Sequence, residues 1–438
     1  MNSPSEATAV LRPIDLRGIL QYVPMFRGHT FVVALDGSVL AGENLPDLLT
    51  DIAVLHSLNI KITLVHGTGL QLRQVADKAG HPVADPYGLE PTEDAVLTLA
   101  GEAAAVAGNF LQSQLTRAGL RFEVSNAIRA TERGIIRGVD YLNSGRVAKI
   151  DIAYLKQRME QGIIPVISPI AYNQDGKVLR LNSDETAADL AIQLEASKLL
   201  FLSRFPGLKK NGSDDIQKAL ALPELEFQIK EGARELDPSL NSKLTCALRA
   251  ARDGVARVHI LDGHRFGALL NEIFEKEGVG TMIHADDYQQ IRSAEEKDLP
   301  AIASLVRQGA DSDALVRRDW QSIQSDLSGF FVYEIDDFLI ACANLTLNQE
   351  TEQAELGTVY VHPVYRGRGV GRKMVAYAEK SAKNSGAHTL FALSTQNFSF
   401  FKSSGGFIPA ELEELPKERQ IRYLEDKRGG QILKKTLS

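Results

Sequence analysis

The stretch Thr358-Val-Tyr-Val-His-Pro-Val-Tyr-Arg-Gly-Arg-Gly-Val-Gly-Arg-Lys-Met374 decides the fold of the C-terminal part of this chain. Its β-branched and aromatic opening reads as a strand. The glycines of Arg366-Gly367-Arg368-Gly369-Val370-Gly371 read as a turn, and Met374, Val375 and Ala378 have the spacing of a helix that follows at once. Glycines let the backbone bring successive N–H groups close to a pyrophosphate, and the positive end of the new helix adds to the attraction. Arg366, Arg368, Arg372 and Lys373 supply full positive charge beside it. Gly-rich turns also open Rossmann folds. Here the turn comes late in its domain and no acidic ribose-binding residue follows a βαβ unit, so a dinucleotide site is disfavoured.

Arg366, Gly369 and Gly371 fall where the acetyl-CoA-binding motif of the GNAT acetyltransferases places Arg or Gln and its two small residues, and the segment resembles that family. The resemblance implies that Val359, Tyr360 and Val361 lie on a strand splayed from its neighbour, whose free backbone groups pair with the pantetheine arm. Together with Arg366 to Gly371 they are the expected acetyl-CoA-binding residues. Phe398-Ser-Phe-Phe-Lys-Ser-Ser-Gly-Gly-Phe407 resembles the later helix of the family, but Phe400 and Phe401 stand where many relatives have a tyrosine that donates a proton. Acyl transfer to an amine needs a base for the ammonium. Glu355, near the start of the splayed strand, is the candidate, acting directly or through a water. Ser394, at the end of the next strand, could donate a hydrogen bond to the leaving sulfur. The competing readings are a solvated edge-strand charge for Glu355 and a strand cap for Ser394.

Outward from this motif, the second unit opens at Ile291 and has strands at Gly329–Glu334, Phe338–Leu347, Glu355–His362 and Thr389–Leu393, an α+β pattern. Before it, apolar runs at Phe31–Leu35, Ile60–Val65, Ile163–Ile167, Leu199–Leu202 and Arg257–Leu261 alternate with helical stretches at Leu45–Leu58, Glu93–Ala118, Thr186–Ala196 and Lys243–Arg252. That alternation indicates helices on both faces of a mainly parallel sheet, an αβα sandwich. The expected domains are 1–285 and 291–438, joined by a linker at 286–290.

Composition is compatible with this. A chain of 438 residues exceeds one ordinary core, and 44% hydrophobic with 24% charged residues is typical of a soluble globular protein. The net charge of −7, without a long basic run, argues against a nucleic-acid binder. The polar stretch Met1-Asn-Ser-Pro-Ser-Glu6 does not read as a signal peptide and no apolar run approaches membrane length, so neither a secreted nor a membrane-spanning protein is expected. Cys246 and Cys342 read as buried thiols, and the expected location is a reducing cytoplasm, with no metal.

Leu315-Val-Arg-Arg318, Phe391-Ala-Leu-Ser-Thr395 and Tyr423 with Arg428 make the second unit similar to bacterial N-acetylglutamate synthases. The resemblance implies L-glutamate as acceptor, with Arg318 and Arg428 holding its carboxylates, a task suited to guanidinium forks. Arg317 is the residue most easily confused with Arg318.

The first unit resembles the amino-acid kinases, most closely N-acetylglutamate kinase, through Val65-His-Gly-Thr-Gly69, Arg180-Leu-Asn-Ser-Asp-Glu-Thr-Ala-Ala188, Leu200–Ser203 with Pro206-Gly207, and Val258-His-Ile-Leu-Asp-Gly263. Where those kinases carry a lysine and a glycine pair, this chain reads Val33-Ala-Leu-Asp-Gly-Ser38. Thr68 replaces a glycine of the next turn, and Lys243 matches a second kinase lysine. Without the first lysine, transfer of a phosphoryl group loses a main source of charge stabilisation.

In arginine-sensitive relatives this fold holds arginine instead. The matching residues are Tyr22 in an N-terminal helix, His259, Glu272 and Gly278. The expectation is an amino-acid N-acetyltransferase inhibited by L-arginine and assembled, as the resemblance implies, into a homo-oligomer, a hexamer. The alternatives are a phosphotransferase with an appended acyl-CoA sensor and a non-catalytic arginine or acetyl-CoA sensor.

Overall fold

The computed structural model describes residues 26–210, 213–232, 236–274, 278–285, 289–312, 314–335, 338–367, 369–394, 398–425 and 430–437. The chain divides into two compact units, Met1–Asp286 and Asp287–Ser438.

The first unit is built on an eight-stranded sheet ordered Ala219–Ala221, Thr281–His284, Arg257–Asp262, Lys198–Ser203, Thr30–Leu35, Lys61–His66, Ile164–Ile167, Phe122–Val124. All neighbours are parallel except Arg257–Asp262 with Thr281–His284. Central strands of such a sheet must be apolar on both faces. Accordingly every residue from Phe31 to Leu35 and from Lys198 to Ser203 is buried. Val32, Ala34, Leu199 and Phe201 share one core with Ala187, Ala188 and Ala191 of helix Ser183–Gln193 and Leu244 and Ala247 of helix Pro238–Arg252.

Both of those helices begin earlier than their apolar spacing suggests, because their starts are written in polar residues. Asn182 accepts a hydrogen bond from the Glu185 amide at 2.8 Å, and Asp237 caps Ser239 just ahead of Pro238. A smaller sheet, ordered Val178–Arg180, Ile170–Tyr172, Ile128–Glu132, Gly145–Ile150, completes this unit.

The second unit is a seven-stranded sheet ordered Gln289–Ser293, Phe330–Ile335, Phe338–Asn348, Gln353–Val361, Thr389–Ser394, Gln431–Thr436, Ile408–Pro409. The one parallel pair is Gln353–Val361 with Thr389–Ser394. Leu299, Ile302 and Val306 of helix Leu299–Asp311 pack with Phe330, Val332, Cys342 and Tyr360. Burial pushes the Cys342 thiol up to about 12, and Cys246 is likewise buried and free of any disulfide.

The linker boundary needs correction. Gln289 and Gln290, read from the sequence as linker, pair with Ile335 and Glu334 as the start of an edge strand. Backbone pairing does not require apolar side chains, so periodicity misses such ends. Residues 286–288 lie outside the described residues. Among the described residues no helix is long and apolar enough to cross a membrane.

One buried cation in the first sheet is measurable from outside. Lys198 opens its strand, buried and 5.2 Å from the centre of the Phe26 ring. Burial, helped by Arg257 and opposed by Glu272, lowers its ammonium from 10.5 to about 7. Between those values the unfolded chain binds a proton that the folded chain does not, so this group adds stability as pH rises through the window. Lys198→Met should therefore raise the melting temperature at pH 7, and the gain should shrink as the pH approaches 10.

Candidate functional site

The strand Gln353–Val361 carries the geometry of the second unit. Its parallel pairing with Thr389–Ser394 runs from Gln353 with Thr389 to Leu356 with Ala392 and stops there. On its other side the register with Phe338–Asn348 shifts: Gly357 faces Asn344, and Tyr360 faces Cys342. The additional residue is accommodated by Thr358, whose φ of +52° lies in the left-handed region that β-branched residues avoid. The strand therefore departs from Thr389–Ser394, leaving an opening flanked by Val359 on one side and by Leu393 and Ser394 on the other.

Beyond that opening, Gly367 and Gly369 both have φ of +77°, which turns the chain into helix Val370–Asn384 with its N-terminus toward a cleft of about 550 Å³. Val359, Tyr360, Val361, Arg366, Gly367, Gly369, Val370 and Gly371 line that cleft with Phe400 and Phe401. Gly371 is required by contact: a Cβ there would sit 2.8 Å from the Phe400 ring. The Arg366 Nε donates to the Val361 carbonyl at 3.0 Å, and its guanidinium lies 5.2 Å from the centre of the Tyr360 ring. Burial raises the Tyr360 phenol even with Arg366 beside it. Arg372 lines the cleft, whereas the Lys373 ammonium donates to the Tyr333 hydroxyl at 3.1 Å. Arg368 lies outside the described residues. A helix N-terminus, flexible backbone and cationic side chains form a place for a pyrophosphate, with an apolar wall beside it.

Glu355, Ser394 and Arg318 line one cavity of about 240 Å³, which Tyr423 also borders. Ser394 is buried at the end of its strand, opposite Gln431. The Arg318 guanidinium pairs with Asp326, donates to the Ser322 hydroxyl at 3.1 Å and lies over the Phe330 ring. Arg317 instead is 83% exposed and pairs with Asp311, so the two adjacent arginines are separated by geometry. Arg428 lies outside the described residues.

Glu355 is engaged by a partner that sequence reading did not find. The Nε and Nη2 of Arg419 donate to its two carboxylate oxygens at 2.6 and 3.0 Å. The only signal for Arg419 is the helical spacing of Arg419, Arg422 and Tyr423 in helix Lys417–Glu425, which puts them on one face.

In the first unit, His259 and Glu272 meet: Nδ1 and Oε1 are 2.7 Å apart, and the other Glu272 oxygen accepts the Gly280 amide at 2.8 Å. Burial, with Lys198 and Arg257 nearby, keeps the imidazole neutral against the pull of Glu272. The carboxylate is held ionised despite burial by His259 and backbone amides. The neutral ring therefore donates through Nδ1, which leaves Nε2 as a buried acceptor with no hydrogen-bond partner among the described residues. Gly278 belongs to this cluster by contact, since a Cβ there would lie 2.5 Å from the Glu272 carboxylate. Tyr22 lies outside the described residues.

The cleft that corresponds to the kinase site is small, about 110 Å³. Its buried Lys243 is held by Asp36 at 2.8 Å and Asp184 at 3.0 Å. Burial alone would depress this ammonium, but the two carboxylates outweigh it and keep it charged. Among the described residues no group of His, Cys, Asp and Glu could hold a metal ion.

Residues 29–262 match the amino acid kinase family, and residues 289–405 match the acetyltransferase (GNAT) family. The chain is 32% identical over 417 residues to the amino-acid acetyltransferase of Vibrio cholerae, covering 92% of this chain and 93% of that protein. It is 31% identical over 422 residues to that of Escherichia coli, covering 93% and 94%. The N-acetylglutamate synthase of Neisseria gonorrhoeae complexed with coenzyme A and L-arginine is similar with a TM-score of 0.75 and 29% identity, over 96% of this chain and 98% of that one. The same enzyme complexed with coenzyme A and N-acetyl-glutamate gives a TM-score of 0.61 at 29% identity, over 97% and 98%.

The glycine turn offers a direct test of its geometry. A Cβ at Gly369 would meet nothing within 4 Å, so the cost of Gly369→Ala is backbone strain alone. It should lower stability to urea by about 1–2 kcal/mol. Gly357→Ala, in equally open space and without a positive φ, should stay within about 0.5 kcal/mol of the parent.

Proposed function

This chain belongs to the amino-acid acetyltransferases, and from that premise we propose that it transfers the acetyl group of acetyl-CoA to the α-amino group of L-glutamate, giving N-acetyl-L-glutamate and CoA at the entry to arginine biosynthesis. The observation that carries this reading is the opening beside Glu355: one strand end exposes free backbone, a glycine turn and a carboxylate to the same part of the unit.

In this assignment the turn at Gly367 to Gly371 holds the pyrophosphate of acetyl-CoA, with Arg366, Arg368 and Arg372 as counter-charges. Backbone groups of Val359 to Val361 take the pantetheine arm, which directs the thioester at the opening. Arg318 and Arg428 hold the glutamate carboxylates. Glu355 removes a proton from the ammonium, the nitrogen lone pair forms the new C–N bond, the C–S bond breaks, and the second proton lost by the nitrogen passes to the departing thiolate, giving the amide and the CoA thiol. Ser394, buried beside that point, donates a hydrogen bond as charge develops on sulfur. Because a thiolate leaves readily, so weak a donor suffices in place of a tyrosine.

The first unit has the fold of a kinase without its chemistry. Asp36 and Asp184 neutralise Lys243 from within, and Ala34 stands on the first strand where the kinases it resembles carry a phosphoryl-binding lysine. Its role here is regulatory. Glu272, the bare Nε2 of His259, Gly278 and Tyr22 form the site for L-arginine, the guanidinium supplying donors to two buried acceptors. The protein works in the cytoplasm as a homo-oligomer, a hexamer.

The deciding assay adds acetyl-CoA and a panel of amino acids to the protein and follows free thiol, beside an ATP-consumption assay. Thiol release that depends on glutamate, with no ATP consumption, is expected; the reverse pattern would mean a phosphotransferase. Glu355→Gln should lower turnover by about 10²–10⁴-fold while acetyl-CoA binding holds.

Regulation has a separate readout. Arginine should raise the melting temperature of the wild-type protein, since a ligand of the folded state stabilises it by about 2.7 kcal/mol at a hundredfold excess over Kd. Glu272→Gln should remove both that shift and the inhibition while leaving uninhibited turnover in place. A wild-type protein indifferent to millimolar arginine would exclude the regulatory role.

A further inference from the structure

The carboxylate assigned as base is clamped. Arg419 donates to both of its oxygens, at 2.6 and 3.0 Å, so the fork occupies a lone pair on each and cancels the charge that would draw in an ammonium. A base held in this way is not ready to take a proton.

Three observations make the clamp exchangeable. Both side chains are 26% exposed, so water competes for the pair and screens it. Arg419 sits on helix Lys417–Glu425, none of whose residues is fully buried; Tyr423 anchors that helix against Phe391, Leu415 and Ile432, so the long Arg419 side chain can move while the helix stays in place. The pair also stands where two clefts meet, of about 600 and 240 Å³, each lined by Glu355, Arg419 and Arg318. A ligand entering either one reaches both partners.

The charge pattern there is reciprocal to an acidic amino acid. In the smaller cleft two guanidinium groups, of Arg318 and Arg419, and one carboxylate, of Glu355, face a ligand that carries two carboxylates and one ammonium. We propose that Arg419 passes its fork from Glu355 to a carboxylate of the incoming amino acid, so that the base is released only when an acidic substrate is in place. One bidentate carboxylate replaces another, which conserves both hydrogen bonds and charge on the guanidinium. Glu355, freed, faces the ammonium that arrives with the same ligand and receives its proton. An amine without carboxylates gives Arg419 nothing in exchange and meets an occupied base. Selectivity for acidic substrates thus lies in access to the base as well as in binding. This rests on the assignment of Glu355 as the base of the acetyl transfer.

The test compares L-glutamate with glutamic acid diamide, an amine of the same skeleton in which both carboxylates are amides, by thiol release from acetyl-CoA. For the wild-type protein glutamate should be strongly preferred. In Arg419→Gln the ratio of the two kcat/KM values should fall by about 10- to 100-fold, the usual worth of hydrogen bonds to a charged group. Acetyl-CoA binding by calorimetry should remain, which shows that the variant is folded. Should it not fold, Arg419→Lys, which keeps the charge and loses the fork, carries the same ratio test with a smaller fall. A variant that loses activity on both amines by the same factor, or keeps the wild-type ratio, overturns the exchange and leaves the acetyltransferase reading in place. A wild-type protein that releases no thiol with any amine overturns both.

Discussion

The second unit depends on the point where a parallel strand pair is abandoned. Up to Leu356 the strand is held by Ala392 and its neighbours; from Gly357 on, that partner is gone. Continued pairing would have filled the opening with backbone hydrogen bonds and left no exposed donors or acceptors for a ligand. The departure is enforced from the other side, where the register with Phe338–Asn348 slips and Thr358 takes a left-handed conformation. Strain of that kind, about 1–3 kcal/mol, persists only where the surroundings fix it, and here Tyr360 is buried in the core opposite Cys342. The same slip keeps Glu355 on the paired portion of the strand, close to the opening but anchored against Phe391.

Charge is managed locally in both units. The chain is acidic overall, at −7, so anionic ligands are not drawn in by a general field. Individual guanidinium groups are placed instead, and each is held before use: Arg366 by the Val361 carbonyl and Tyr360, Arg318 by Asp326 and Ser322, Arg419 by Glu355. Prior placement of this kind lowers the ordering cost when a ligand arrives. The same local matching lets the first unit keep a buried lysine. Lys243 faces Asp36 and Asp184, so its charge is already matched.

Legibility from sequence followed the range of the interactions. The parallel sheet was readable because fully buried strands must be apolar throughout, and the glycine turn because Gly367 and Gly369 sit at φ values that other residues resist. His259, Glu272 and Gly278 were found through resemblance, and their contact is a property of the folded chain that no local pattern carries. Arg419 left almost no trace, since its partner is 64 residues away on a strand and it is one of several charged residues on a short helix. The strand at Gln289–Ser293 was cut short in the reading because its first two residues are glutamines, whose backbone pairing has no apolar signature.

The His259–Glu272 pair shows how a buried polar group can be set up for a ligand. An ionised carboxylate in the interior is costly unless its oxygens are bonded, and here the imidazole and the Gly280 amide meet that need. Satisfying the carboxylate through Nδ1 fixes the tautomer, which in turn leaves Nε2 as an enclosed acceptor with no donor among the described residues. An orphaned acceptor of this kind destabilises the fold unless something completes it. A ligand rich in N–H donors and positively charged would complete it and would also meet the ionised carboxylate. A neutral donor would answer only the first need, and a simple cation without directed N–H groups only the second. The guanidinium group meets both, which is the physical ground on which arginine is proposed as the ligand here.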